Sequence, residues 1–169
     1  MIYLYRRNKT GICIDRVYGH DGIVELPETL EGLPVTELGA YIFSDHIDRG
    51  DLEKCRMSGK FCTEDGLKVQ DEEGMPEMSG NVVQELILPS KLRKVGRYAF
   101  YNCFHLKKLS FGGDLRDVGV GAMTGCHKIE RVTVKTDENG DSCLRDILTE
   151  LPETLRVDMD KNGEQGRFW

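Results

Sequence analysis

Apolar side chains return every twenty-three residues in the second half of this chain. Leu86, Leu109 and Val132 fall in register, as do Leu88, Phe111 and Val134. The match runs on through Leu92 with Leu115, Val95 with Val118, Gly96 with Gly119 and Ala99 with Ala122. It closes with Phe100 and Met123, Cys103 and Cys126, Leu106 and Ile129. Self-similarity at a fixed period of twenty to fifty residues is the signature of stacked repeats, each too small to bury its own apolar face. Each unit opens with an alternating segment, Glu85–Leu88, Lys108–Phe111 or Arg131–Val134, which predicts a short strand with its Leu-x-Leu positions inward. The following arc, such as 96–100, is expected to be a turn or short helical coil returning the chain to the next strand.

Residues 23–43 hold a stretched copy of the same pattern. Leu26-Pro27 stands for Leu88-Pro89, Leu30 for Leu92, and Leu38-Gly39 for Val95-Gly96 after a five-residue insertion that includes Gly32 and Pro34. Ala40-Tyr41-Ile42-Phe43 falls near Tyr98-Ala99-Phe100. Ahead of it, Ile2–Arg6 and Ile12–Val17 place β-formers at period two around a turn at 8–11. They predict a β-hairpin that covers the open end of the first unit, because a bare terminal repeat would expose its core.

Residues 44–81 break the repeat. Six acidic residues face one lysine between Glu64 and Glu77, and Gly74-Met75-Pro76 interrupts any regular element. A long excursion with a mobile acidic part is expected, disorder being the simplest account. Beyond the last clean unit, Asp141 or Ser142 reads as an N-cap, and Cys143, Leu144, Ile147, Leu148 and Leu151 share a helical face that Pro152 ends. Two strands, 154–159 and 167–169, are expected around Lys161-Asn162-Gly163. The expected division is residues 1–134 as the repeat domain, with a cap at 1–22 and an insertion at 44–81. Residues 135–169 then form a closing region. The exposed rings of Phe168-Trp169 suggest that the sequence is part of a longer chain.

The pattern Leu86-Ile87-Leu88-Pro89-x-x-Leu92-x-x-Val95-Gly96-x-x-Ala99-Phe100-x-x-Cys103-x-x-Leu106 resembles the BspA-type leucine-rich repeat. The opening from Leu26-Pro27-Glu28-Thr29-Leu30 through Gly32-Leu33-Pro34-Val35-Thr36 to Leu38-Gly39 looks like the first repeat of that family. The resemblance covers roughly residues 23–43 and 82–134, and departs at Ala122-Met123, where Phe is usual. It implies an α/β leucine-rich repeat fold: a right-handed curved solenoid with parallel β-strands on one face, an N-terminal β-hairpin cap and a C-terminal helix-plus-strand cap. It also implies protein or surface binding, without naming a ligand.

The chain has 169 residues, a net charge of −6 and 39% hydrophobic residues, which fits one soluble domain. No apolar run is long enough to span a membrane, and 1–10 lacks the h-region of a secretory signal. A cytoplasmic location is therefore expected, with secretion or surface display as the alternative if a leader was removed. Six cysteines in a reducing compartment read as small packing residues rather than disulfides.

The candidate binding face lies between the inward positions. Ile87, Ser110 and Thr133 should stack one strand apart, beside Glu85, Lys108 and Arg131. An ordinary solvated face is the competing reading. A basic and aromatic stretch (Lys91, Arg93, Lys94, Arg97, Lys107, Lys108 with Tyr98, Phe100, Tyr101 and Phe104) could meet nucleic acid. The next unit replaces Lys91, Lys94 and Arg97 with Asp114, Asp117 and Val120, so no stripe forms and no nucleic-acid partner is expected. Cys103, His105, Cys126 and His127 invite a zinc site, but the histidines are not at equivalent positions. Asp158-x-Asp160-x-Asn162-Gly163 begins like a calcium loop, yet Trp169 stands where Glu is needed. No catalytic motif is present, so no catalytic residue, metal or cofactor is expected. The expected work is non-catalytic recognition of an unidentified protein, with a structural spacer in a longer chain as the alternative. The oligomeric state is left open.

Overall fold

The computed structural model describes residues 1–136, 147, 149–152, 156–161 and 164–168. Its elements are, in chain order, β1 (Ile2–Arg7), β2 (Ile12–Tyr18), β3 (Ile23–Glu25), β4 (Thr29–Leu30), β5 (Leu33–Leu38) and α1 (Arg49–Ser58). Then come β6 (Lys60–Thr63), β7 (Lys68–Val69), β8 (Glu85–Ile87), β9 (Lys94–Val95), β10 (Lys108–Gly112), β11 (Asp117–Val118), β12 (Arg131–Thr136), β13 (Arg156–Lys161) and β14 (Glu164–Phe168).

The twenty-three-residue period becomes a stack of rungs. β3, β8, β10, β12 and β13 lie side by side in parallel, with Val24 beside Leu86, Leu86 beside Leu109, Leu109 beside Val132 and Val132 beside Val157. β14 runs antiparallel on β13. The return arcs hold a second parallel ladder the sequence did not announce, made of β11, β9, β5 and β2. Two residues per arc, such as Lys94–Val95, are too few to show a period of two.

Between the two sheets the repeat positions stack on themselves. Val24, Leu86, Leu109 and Val132 are buried, as are Leu38 and Val95. Phe43 and Phe100 stack with ring centres 6.1 Å apart. The Cys126 thiol donates to the Phe100 carbonyl at 3.2 Å, and the Cys103 thiol to the Phe43 carbonyl at 3.6 Å. Gly39, Gly96 and Gly119 form another column. A side chain at Gly96 would strike the backbone of Ala40, and one at Gly119 that of Arg97, so rung spacing itself excludes a Cβ there.

The five-residue insertion of the first rung is a small hairpin. β4 and β5 pair antiparallel, with Leu30 opposite Leu33, and Glu31 and Gly32 turn the corner at φ 52° and 75°. Two positive φ angles in a two-residue loop are the backbone of a type I′ turn.

The N-terminal hairpin caps the end as expected, but by extending the second sheet: β2 pairs parallel with β5 and antiparallel with β1. Residues 44–81 depart from the expected mobile excursion. They fold into α1 and the β6–β7 hairpin, and β6 pairs antiparallel with β1. Two features outweigh the acidic composition. One is apolar: Phe61, Val69, Cys55 and Met75 pack with Ile2, Leu4 and Tyr18 on the outer face of the hairpin, while Cys62 joins Tyr3 and Tyr5 in the main core. The other is Arg16, fully buried, which donates to the carbonyls of Tyr41 and Ser44 (2.9 Å) and to Glu77 (2.6 Å). It ties the two ends of the insertion to β2. Asp48 caps α1 by accepting from Gly50 and Asp51.

The helix expected at 141–151 lies mostly outside the described residues, though Ile147 and Leu151 are buried against the last rung. The two expected strands are β13 and β14, shifted by a few residues and paired from Val157 with Phe168 to Lys161 with Glu164. The turn expected at 161–163 falls mainly outside the described residues.

Candidate functional site

Alternation along β8, β10 and β12 sends Leu86, Leu109 and Val132 inward and leaves their neighbours on the outer face. The parallel register brings all six expected side chains together. Glu85, Lys108 and Arg131 make one column, and Ile87, Ser110 and Thr133 the next. Lys108 and Arg131 are exposed, at 52% and 45%; the other four are half-buried.

The columns run further than the clean repeats. Ile23 and Glu25 extend them beyond β8, and Arg156 and Asp158 beyond β12. These four were within reach of sequence reading. Ile23-Val24-Glu25-Leu26 alternates like Glu85–Leu88, and Arg156-Val157-Asp158 sits in a segment already read as strand.

The face carries a gradient of character. The β3 and β8 end presents Ile23, Glu25, Glu85 and Ile87, and the β10 to β13 end presents Lys108, Arg131 and Arg156. Lys108 lies 3.7 Å from Glu85, and Arg131 3.3 Å from Asp158. Solvent-exposed pairs of this kind contribute about 0–1 kcal/mol, so a partner can replace either acid at small cost. The Ser110 and Thr133 hydroxyls add groups that both donate and accept. Chemically the face offers a partner charges, hydroxyls and an aliphatic side chain.

The other candidates resolve differently. Among the described residues no three His, Cys, Asp or Glu side chains gather as a metal set. The Cys126 neighbour and burial hold the Cys103 thiol well above its ordinary range, the opposite of what a thiolate ligand needs. Of the basic and aromatic stretch, Phe100 is core, Lys94 lies 3.6 Å from Glu37, and Tyr98 stacks on Tyr41 with centres 5.3 Å apart. Asp158 of the calcium-like segment belongs to the Arg131 pair.

One buried polar group elsewhere has catalytic residue types. Arg6 Nε lies 3.0 Å from Asp15, and the Cys13 thiol lies 3.4 Å from the guanidinium and 3.5 Å from Asp15. Burial pushes both the Asp15 carboxyl and the Cys13 thiol upward, with Arg6 opposing. A protonated thiol is a poor nucleophile, so the trio ties β1 to β2 rather than activating sulfur.

Comparison with known proteins agrees with this architecture. Residues 79–148 match the family described as BspA type leucine rich repeat region (6 copies). No curated protein matches the chain. A crystal structure of a leucine rich cell surface protein from Faecalibacterium prausnitzii A2-165 matches with a TM-score of 0.50 at 17% identity, over 95% of this chain and 37% of that one. The chain thus spans little more than a third of the length of that protein. A crystal structure of a leucine rich repeat protein from T. pallidum matches with a TM-score of 0.31 at 16% identity, over 96% of this chain and 79% of that one. The described helix is too short to cross a membrane.

Proposed function

We propose that this chain, whose residues 79–148 match the BspA-type leucine-rich repeat region, is a non-catalytic protein-binding module. Its ligand, still unidentified, docks on the face of Glu85, Ile87, Lys108, Ser110, Arg131 and Thr133. The observation that carries the reading is the register. One stack of rungs aligns charged, hydroxyl and apolar side chains on an open sheet face, supported from beneath by buried Leu86, Leu109 and Val132. Repeat solenoids offer such extended surfaces, and rigid strands hold the side chains in place before a partner arrives.

The test is a pull-down from native lysate with the parent chain and with K108E/R131E. Proteins captured by the parent and lost with the variant support the reading; an identical set from both overturns it. A turnover that depends on a named side chain would overturn the non-catalytic part.

A second reading, a scaffold that spaces or displays a neighbouring domain, is favoured by the Faecalibacterium match, which covers 37% of that longer chain. Binding-face variants would leave such a role unchanged. For location, the five free thiols among the described residues, four of them buried, support the cytoplasm. The cell-surface description of the Faecalibacterium protein supports the exterior. Cell fractionation with an antibody to the chain separates the two.

A further inference from the structure

The first strand of the rung ladder, β3, has a neighbour on one side only among the described residues. The Gly22 carbonyl accepts from Glu85, and the Leu26 N–H donates to Ile87. Backbone groups alternate sides along a ladder, so the N–H and C=O of Ile23 and Glu25 turn away from β8. Ile23 is 63% exposed, a large aliphatic side chain at an open sheet edge. Exposed edges of this kind are templates for a further strand, and proteins usually blunt them with lysine, proline or a bulge. β3 is short and carries the charge of Glu25, but it has no lysine, proline or bulge, and its charge is of the sign that attracts a basic strand.

A cleft of about 520 Å³ runs beside this edge, between β3 and the cap, with Tyr3 in its wall. Its rim is acidic: Asp21, Glu25, Glu28 and Glu64. Glu28 is engaged with Ser90, and Glu64 with the Met1 amine at 2.7 Å. Asp21 and Glu25 have no ion-pair partner among the described residues. The field is felt within the cleft. Burial raises the Tyr3 phenol, and Glu64, Asp21 and Glu25 raise it further.

We propose that the free edge of β3 accepts an extended peptide by strand addition, and that the peptide carries Lys or Arg at alternate positions. Main-chain hydrogen bonds to Ile23 and Glu25 supply the attachment. Asp21 and Glu25 select the cations on the outer face, the Ile23 side chain lies along their methylene stems, and the intervening aliphatic side chains fall on the opposite face, that of Val24. The acids also argue against a second copy of this chain, since pairing β3 with β3 would set the carboxylates of two edges against one another. The site lies at the edge of the same outer face, two strands from Lys108, and its attachment does not use Lys108 or Arg131.

The test uses the full chain and a labelled, end-blocked Val-Lys-Val-Lys-Val-Lys peptide at low salt. Saturable binding is expected, with amide shifts at Ile23 and Glu25 in a nitrogen–proton spectrum. D21K/E25K, two exposed positions, should keep the parent circular dichroism and bind about tenfold more weakly. Ile23→Pro removes an outward N–H and should abolish binding while the β8 ladder persists. K108E/R131E should bind no more weakly than the parent. Several results would overturn the proposal. These are no binding, equal binding of a peptide N-methylated at alternate residues, equal binding of Val-Glu-Val-Glu-Val-Glu, or shifts centred on Lys108 and Arg131. Concentration-dependent dimers that Ile23→Pro abolishes would assign the edge to a second copy instead, and would also overturn it.

Discussion

Tyr41, Tyr98 and Gly121 occupy equivalent places in successive rungs, and all three have left-handed backbone, with φ of 59°, 52° and 67°. A residue with a Cβ gives up about 1–2 kcal/mol in that region. The two tyrosines offset this by stacking on each other, and Tyr98 also meets Tyr101 edge-on at 5.5 Å. The third rung takes the other solution. Gly121 avoids the penalty, and the Tyr98 ring lies over the space where its side chain would be. Gly121→Ala therefore combines a strained φ with a collision, and should lower stability by about 2 kcal/mol in urea unfolding. A change below about 0.5 kcal/mol would show that the ring moves aside freely.

At the scale of elements, the insertion at 44–81 depends on one buried side chain. Arg16 joins β2 to Ser44 at one end of the insertion and Glu77 at the other. Arg16→Met keeps most of the volume but strands the carbonyls and a partly buried carboxylate. It should destabilise the protein by about 3 kcal/mol in urea unfolding. It should also open α1 and the β6–β7 hairpin to limited proteolysis before the rungs. Simultaneous loss of both would show that the insertion is not a separate layer. This element also marks where sequence reading stopped. Rungs were legible because Leu-x-Leu recurs at a fixed interval, and the six face residues followed from the same register. α1 was not: it buries no residue, and its only apolar side chains are Leu52, Cys55 and Met57. β6 was hidden because its two sides face two different clusters, Phe61 outward and Cys62 inward, so no single buried face repeats along it.

For the whole molecule, the joint between solenoid and cap is electrostatic as well as apolar. Glu31, at the tip of the first-rung hairpin, meets Arg7 of β1 at 2.8 Å, with Lys68 of β7 at 3.5 Å and Lys60 of β6 at 3.9 Å. The Arg7 hydrogen bond, helped by the nearby charges, holds its carboxyl down to about 2 from an ordinary 4.5. A depressed carboxylate contributes stability that is present above its unfolded value. That contribution drains away as pH falls from about 4.5 towards about 2. Glu31→Gln should be less stable than the parent at neutral pH and should lose less on acidification over that window, read from urea midpoints at each pH. Parallel pH curves for the two proteins would show that the acid sensitivity lies elsewhere. The capping hairpin was legible from its period-two strands, but its ionic joint to the first rung was not. Arg7, Glu31, Lys60 and Lys68 are far apart along the chain and follow no period.

The column of sulfur atoms has a consequence for chemical attack. Each of Cys126 and Cys103 hands its hydrogen to a carbonyl one rung back and is buried, so neither sulfur can be reached while adjacent turns stay in contact. The stack keeps its thiols silent by its own closeness, and alkylation at either position would time the moment when neighbouring turns part.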